Sequence, residues 1–229
     1  MRPFPGRTVT ASVSLLMWIL PLHAQNSESE PFSNLNSNVG FTISVPSGAT
    51  AKYMSIAWGF NYGAGYNFNT HHSLIGEVMW NKLYATNGAL GPIRAALQNN
   101  DIKGRGNLVA LIANYRLQFE GQTFGSYFIA GGGLYYRNSR LSQSVTIGNS
   151  VTCTPAWLWW GFMCASGAVV SNQTLASSSS TAPGGSAGIG FTVRLADSHY
   201  KLYVESRYHY AAHKFIATQI MPITIGIRF

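Results

Sequence analysis

The chain has 229 residues, of which 10% are Asp, Glu, Lys or Arg, and its formal net charge is +8. Soluble globular domains have about 25% charged residues. A chain this poor in charge would be a poorly soluble globule, so the composition argues against an ordinary soluble domain. It indicates that much of the outer surface does not meet water.

The N-terminus shows the order of features found in a secretory signal peptide. Arg2 and Arg7 precede an apolar run over residues 13–22, and Ala24 supplies the small residue before a cleavage site. The apolar run is shorter than the roughly 20 residues that a membrane-spanning helix needs. We therefore predict a signal peptide over residues 1–24, cleavage near Ala24 and export of the mature chain.

Residues 25–38 contain Glu, Pro, Asn and Ser, and this composition predicts a disordered periplasmic lead-in. From residue 39 onward, apolar residues alternate with small or polar ones, which is the pattern of β-strands with two different faces. The segment 52–68 alternates over about fifteen residues, longer than the 5–6 residues of ordinary strands. The alternation predicts strands at 39–45, 52–68, 73–81, 109–119, 124–137, 186–195, 202–210 and 221–229.

Two architectures alternate in this way, a soluble β-sandwich and a transmembrane β-barrel. The second face consists mainly of Gly, Ser, Ala and Asn, which suits a narrow barrel lumen better than a solvated sheet surface. A closed barrel can cross a membrane because it has no unpaired edge. Aromatic residues near strand ends fit the girdles of such a barrel: Tyr66, Phe68, Trp80, Phe119, Tyr208 and Tyr210. A secreted β-sandwich stays an alternative.

The connections between strands alternate in length. Short ones lie near 69–72, 120–123 and 197–200, long ones near 84–104 and 138–185, and a medium one near 211–217. Outer-membrane barrels have short periplasmic turns and long outer loops. This rule puts both chain ends in the periplasm and requires an even number of strands, so 39–45 serves as the first of eight. A periplasmic or plug segment is the alternative for 39–45.

Four stretches carry a resemblance to a known family: GAGYNFNTHHSLIGEVMWNKL (63–83), YFIAGGGLYYR (127–137), YVESRYHY (203–210) and MPITIGIRF (221–229). The chain resembles the small eight-stranded outer-membrane β-barrel proteins of Gram-negative bacteria, the architecture of OmpA, OmpX and OmpW. The resemblance implies an all-β, eight-stranded antiparallel up-and-down transmembrane β-barrel over residues 39–229. It also implies a monomer in the outer membrane, Phe229 as an assembly signal for the barrel assembly machinery, and contact with membrane lipid and lipopolysaccharide.

Strand parity places several charged residues inside the barrel: Glu77, Arg116, Arg194, Glu205, Arg207, His209 and Arg228. Buried charges must be paired. We interpret them as a polar network that plugs a narrow lumen, because an eight-stranded barrel can be filled by side chains. A gated polar path or a ligand pocket is the alternative.

An enzyme site is not predicted. Lipid A deacylases are eight-stranded barrels in which a lipid-facing His is followed two residues later by a nucleophilic Ser. Here His209 is followed by Tyr210 and Ala211, and parity turns His209 inward. Too few ligands converge for a metal site, and neither Gly-rich stretch opens a helix as a phosphate loop does. We expect no catalytic residues, cofactor or metal.

The longest loop contains the stretch CTPAWLWWGFMC, bracketed by the only two cysteines, Cys153 and Cys164. Export makes a disulfide between them plausible. The enclosed aromatic residues are candidates for contact with an external protein or cell-surface ligand, because exposed apolar patches mark interaction sites: Trp157, Trp159, Trp160 and Phe162. The alternative is that they pack on the barrel rim or at the level of the lipid headgroups.

The sequence therefore predicts a non-enzymatic outer-membrane protein with an envelope-structural role or an adhesion-like role of its outer loops. A narrow channel for small or hydrophobic solutes is the alternative function. Nucleic acid is excluded as a partner by the location. Basic residues in or next to the outer loops would attract anionic lipopolysaccharide, or else form a merely solvated rim: Lys82, Arg94, Lys103, Arg105, Arg137 and Arg140.

Overall fold

The structure is a computed structural model that describes residues 34–156, 161–195 and 200–229. The predicted signal peptide, residues 25–33 of the predicted lead-in, and Trp157, Trp159 and Trp160 lie outside the described residues. For residues 146–147 and 149–170, only the backbone is considered. Within the described part of the chain, no helix is long and apolar enough to span a membrane.

Eight antiparallel strands form a closed ring in which each strand pairs with its neighbours in sequence and β1 pairs with β8. The elements are β1 (Leu35–Pro46), a 3-10 helix (Thr50–Lys52), β2 (Ala57–Asn67), β3 (His72–Tyr84), α1 (Asn87–Leu97), β4 (Lys103–Glu120), β5 (Phe124–Ala156), β6 (Gly161–Arg194), β7 (Lys201–Ala211) and β8 (Thr218–Arg228). The prediction of an eight-stranded up-and-down β-barrel is therefore confirmed.

The strand bounds differ from the predicted ones at both ends of the barrel. β1 begins at Leu35, so residues 35–38 belong to the barrel wall rather than to a lead-in. β2 begins only at Ala57, because residues 50–52 form the 3-10 helix. The seam between β1 and β8 continues to the last residue, since the Phe229 backbone N–H donates to the Ser37 carbonyl over 2.9 Å.

The second outer connection contains a helix that the alternation did not predict. α1 begins after Thr86, whose hydroxyl accepts a hydrogen bond from the Ala89 N–H over 3.2 Å as an N-cap. The Arg94 guanidinium donates to the Ile102 carbonyl from Nε and Nη2 over 3.2 and 2.9 Å. The side chains of Leu90 and Ile102 are buried. The connection between β3 and β4 is therefore an ordered helical segment with buried side chains rather than an irregular loop.

The outward face of the strands is apolar and bounded by aromatic rings. On β4, the lipid-facing residues run from Val109 to Phe119. This run measures about 34 Å along the strand and about 26 Å along the barrel axis at a tilt of about 40°. That height matches the apolar band of about 25 Å in outer-membrane barrels. We call the end of the barrel that carries the chain termini periplasmic and the opposite end outer.

β5 and β6 are far longer than the other strands, with 33 and 34 residues. β5 pairs with β4 only up to Ser142, and β6 pairs with β7 only from Gly184. Beyond this, residues 143–156 pair with residues 161–173 alone. We call this two-stranded segment the outer ribbon. The long outer connection predicted near 138–185 is therefore mostly paired strand, and only residues 157–160 separate β5 from β6 in sequence.

Candidate functional site

The periplasmic half of the lumen holds a compact network of charged side chains centred on Arg207. Its Nη2 lies 2.5 Å from Glu77 Oε2, and its Nε donates to Glu205 Oε1. All three side chains are buried, with exposed fractions of 2–4%. Removing such ions from water costs several kcal/mol per ion, and close pairing repays this cost. One guanidinium therefore bridges two carboxylates, one on β3 and one on β7.

Tyr127 connects this network to two further arginines. Its hydroxyl donates to Glu205 Oε2 over 2.8 Å. The Arg228 guanidinium lies 4.6 Å from the centroid of the Tyr127 ring, and the Arg116 guanidinium lies 5.7 Å from it. Arg116 also donates from Nε to the Ser73 hydroxyl over 3.1 Å. These two cations are stabilised by an aromatic face rather than by a direct ion pair.

The remaining residues of the predicted luminal set lie at the two ends of the network. His209 is 1% exposed, and its Nδ1 shares a hydrogen bond of 2.9 Å with the Tyr135 hydroxyl. Arg194 is only half-buried, at the periplasmic end of β6. The structure thus gathers Glu77, Glu205 and Arg207 in direct contact, links Arg116 and Arg228 to them through Tyr127, and leaves Arg194 at the rim.

The outer half of the lumen is partly apolar, which the sequence analysis did not predict. Its buried hydrophobic side chains form one cluster: Ala57, Met79, Leu83, Leu108, Ala110, Ile112, Tyr135, Ala211 and Ile220. We call this cluster the apolar layer. It was missed because some inward positions of β3 and β4 also carry apolar residues, such as Met79 and Ile112, which fit a lipid-facing position equally well in the sequence. The apolar layer lies above the charged network, beside buried polar side chains of β1 and β3 such as Thr42, Ser44 and Asn81.

Luminal tyrosines were also missed, although a signal for them exists in the sequence. Tyr127 lies opposite Gly190 on β6, and Tyr203 lies opposite Gly226 on β8. A Cβ on either glycine would collide with the facing tyrosine ring. Glycine in a strand marks a close approach of this kind. A glycine on a neighbouring strand therefore gives each inward ring the space that it occupies.

A luminal histidine and a luminal serine face each other across two strands of the barrel. Ser186 lies directly opposite His209 in the β6–β7 pairing, but the imidazole is enclosed in the lumen and bonded to Tyr135. A lipid or soluble substrate has no access to it. Within the described residues, no three His, Cys, Asp or Glu side chains gather as metal ligands would.

A cleft of about 230 Å³ opens at the outer mouth of the barrel, above the apolar layer. Its walls combine the apolar side chains of Met54, Leu83 and Ile216 with Ser and Thr side chains of β5, β6, β8 and the 3-10 helix: Thr50, Ser139, Ser178, Ser179, Ser180 and Thr218. Arg137 also lines it and donates from Nη1 to the Ile216 carbonyl over 3.0 Å and to the Thr218 hydroxyl over 3.1 Å. Such walls suit hydrogen bonding to a small polar group.

His213 lies beside this cleft in the last outer loop. Its Nδ1 shares a hydrogen bond of 3.1 Å with the Ser180 hydroxyl. Burial lowers the pKa of the His213 imidazole, and the nearby Arg137 guanidinium lowers it further. The ring is therefore neutral at pH 7, and it ties the last outer loop to β6 without adding charge to the mouth.

The sequence of the whole barrel matches one protein family. Residues 12–229 match the family model of the outer membrane protein beta-barrel domain. The chain belongs to this family. Membership confirms the predicted resemblance and implies a bacterial outer-membrane location. No curated protein gives a significant match to the chain.

Several solved structures are similar to this chain at low sequence identity. Ail of Yersinia pestis, solved in complex with the heparin analogue sucrose octasulfate, is 14% identical over 85% of this chain and 97% of that chain, with a TM-score of 0.48. Neisserial surface protein A is 13% identical over 86% and 95%, with a TM-score of 0.45. OprG from Pseudomonas aeruginosa is 11% identical over 85% and 93%, with a TM-score of 0.40. Identities this low say nothing about what this chain binds.

Proposed function

We propose that this outer-membrane protein is a non-enzymatic surface-interaction protein that contacts external partners through the outer ribbon. The observation that carries the proposal is the pairing of residues 143–156 with residues 161–173 and with no other strand. At about 3.3 Å per residue, the ribbon is on the order of 40 Å long. Such a ribbon presents two unpaired strand edges, which are recognition surfaces for extended peptides.

The tip of the ribbon carries the features that suit contact with a partner. Trp157, Trp159 and Trp160 fall between the ends of its two strands, and Phe162 is the second residue of β6. Aromatic residues dominate the energetic hot spots of protein interfaces. We propose these four residues as the contact surface of the ribbon.

We propose that Cys153 and Cys164 form a disulfide that holds the ribbon tip together. The two residues are direct partners in the β5–β6 register. Directly opposed residues of antiparallel strands have Cα atoms about 4.5–5.5 Å apart, within the range of about 4.4–6.8 Å that disulfides require. Closing this short loop would stabilise the ordered tip by roughly 2–3 kcal/mol in the chain-entropy model.

Deletion of the ribbon tests the proposed function. Ser142 and Thr174 are cross-strand partners, so replacing residues 143–173 by an Asn-Gly turn should leave the barrel intact. Cells that display the full chain should be retained on at least one member of an array of immobilised glycans and extracellular-matrix proteins. On that member, retention of cells that display the deletion variant should be at least about tenfold lower. Equal retention of both cell types would contradict the proposal.

Two further variants assign the binding within the ribbon. The combined change Trp157→Ser, Trp159→Ser and Trp160→Ser should reduce retention as the deletion does, and Cys153→Ser with Cys164→Ser should reduce it in part. Gln143 donates to Gln173 at the ribbon base over 3.2 Å, so Gln143→Ala is the matched control and should bind as the parent does. Reduced thermal stability with unchanged retention in the tryptophan variant would instead indicate packing of these rings.

The alternative function is a narrow channel, and the filled lumen argues against it. Large side chains fill the lumen along its length, and Arg116, Tyr127, Tyr135 and Tyr203 are all almost fully buried. We expect refolded protein in planar lipid bilayers to show no stable ohmic conductance. A stable conductance that changes with added solute would contradict the closed lumen and favour the channel.

A further inference from the structure

A group of cations lies on the lipid-facing side of the barrel at its outer end. Each of these cations lies an even number of positions from an outward apolar residue of its strand, and it therefore points outward too. Lys82 follows Trp80 on β3, Lys103 and Arg105 precede Val109 on β4, and Arg140 follows Tyr136 on β5. Lys103, Arg105 and Arg140 are exposed and Lys82 is half-buried. We call these four residues the outer basic patch.

The strand register brings these cations together. Tyr84 on β3 pairs with Arg105 on β4, and Arg105 pairs with Arg140 on β5. The row therefore contains two arginines directly opposite each other. Like charges in that position destabilise a sheet. An anion held between the two guanidinium groups would convert this repulsion into attraction.

No carboxylate of the described residues compensates the outer basic patch. Asp101 is the one acidic residue of the described outer connections, and none of the four cations lies within ion-pair distance of a carboxylate in the described structure. Lys82 instead lies 5.8 Å from the centroid of the Trp58 ring and 5.9 Å from that of Tyr84. These rings hold the ammonium group at the membrane interface.

The backbone of the patch lies just above the headgroup region of the outer leaflet, within reach of an arginine side chain. Arg105 lies four residues beyond Val109, the last apolar outward residue of β4. At about 3.4 Å per residue and a strand tilt of about 40°, this places its Cα about 10 Å above the apolar band. The polar headgroup region extends about 5–8 Å beyond the hydrocarbon on each side, and an arginine side chain can turn back towards it.

We infer that the outer basic patch binds the phosphate groups of a phosphorylated lipid headgroup in the outer leaflet, the chemical class of lipid A. Paired guanidinium groups bind phosphate in a bidentate manner. The aromatic residues beside and below Lys82 on β2 and β3, Trp58, Phe60 and Trp80, form edge-to-face and stacked pairs with centroids 5.4–6.4 Å apart. They supply an apolar surface for the acyl chains of the same lipid. This inference does not depend on the outer ribbon.

Binding of diphosphoryl lipid A to the detergent-refolded full chain tests this inference. We expect Arg105→Gln with Arg140→Gln to weaken binding at least about tenfold, because each basic residue near an anionic lipid surface contributes appreciably to binding. Lys52→Gln with Lys214→Gln removes the same charge from outer connections away from the patch, and it should change binding less than about twofold. Heat-modifiable migration on SDS gels verifies that each variant folds, and Lys82→Gln serves as a second patch variant.

The choice of ligand separates a lipid site from a site for free phosphate. Dephosphorylated lipid A should bind the parent chain about as weakly as diphosphoryl lipid A binds the double arginine variant. Full displacement of lipid A by millimolar inorganic phosphate would assign the patch to free phosphate and overturn the lipid proposal. Equal binding of phosphorylated and dephosphorylated lipid, or an equal loss in the control variant, would overturn phosphate recognition altogether.

Discussion

Arg207→Met should destabilise the barrel by about 3–5 kcal/mol, because it leaves two buried carboxylates without their cation. Glu77 and Glu205 both depend on this guanidinium, and both are almost fully buried. Methionine keeps most of the side-chain volume. The loss of stability therefore results from the removed charge rather than from a cavity. The free energy of unfolding is measured by urea titration of protein refolded into lipid vesicles.

Lys201→Met is the matched control for this prediction. Lys201 lies on the same strand and forms an ion pair with Glu120 at 2.5 Å, but the two side chains are 21% and 27% exposed. Ion pairs of this kind contribute about 0–1 kcal/mol. We also expect the combined change Glu77→Gln, Glu205→Gln and Arg207→Met to recover part of the lost stability. Equal losses at Arg207 and Lys201 would show that the luminal network is not a buried, coupled unit.

Gly133→Ala should destabilise the barrel by about 1–3 kcal/mol, the usual cost of an overpacked core. Gly133 faces the lumen, and a Cβ there would overlap the Leu111 carbonyl oxygen and lie 2.8 Å from Ile112 Cα. Both contacts are with the β4 backbone, which cannot move without breaking its pairing to β5. The same urea titration measures the change.

The adjacent residue provides the control for this second prediction. Gly132 is exposed on the lipid face, and the nearest atom to a Cβ there is the Gly184 carbonyl oxygen at 3.5 Å. That is an ordinary van der Waals contact, so Gly132→Ala should change the unfolding free energy by no more than about 0.5 kcal/mol. If the two alanine variants were equally stable, the inward orientation of Gly133 would be wrong. The structure thereby assigns faces in a Gly-Gly-Gly stretch that alternation leaves ambiguous.

The luminal network shows which contacts cannot be predicted from the sequence. Parity on β3 and β7 turns Glu77 and Arg207 inward, and this orientation is visible from period-2 alternation alone. Their contact is not visible, because the two residues are 130 positions apart and meet only across a closed lumen. The apolar layer was missed for a related reason. Residues such as Met79 and Ile112 fit either a lipid face or a packed interior, and only closure of the ring decides between them.

The sequence by itself determined the fold class, the number of strands, the order of short and long connections, and the inward orientation of charged residues such as Glu77 and Arg207. These features depend on local alternation, which strands impose on every second residue. The tertiary structure decided the partners of each luminal charge, the apolar layer, the outer ribbon and the outer basic patch. Each of these depends on strand register and on ring closure, which bring together residues far apart in the chain, such as Arg105 and Arg140 on the outer rim.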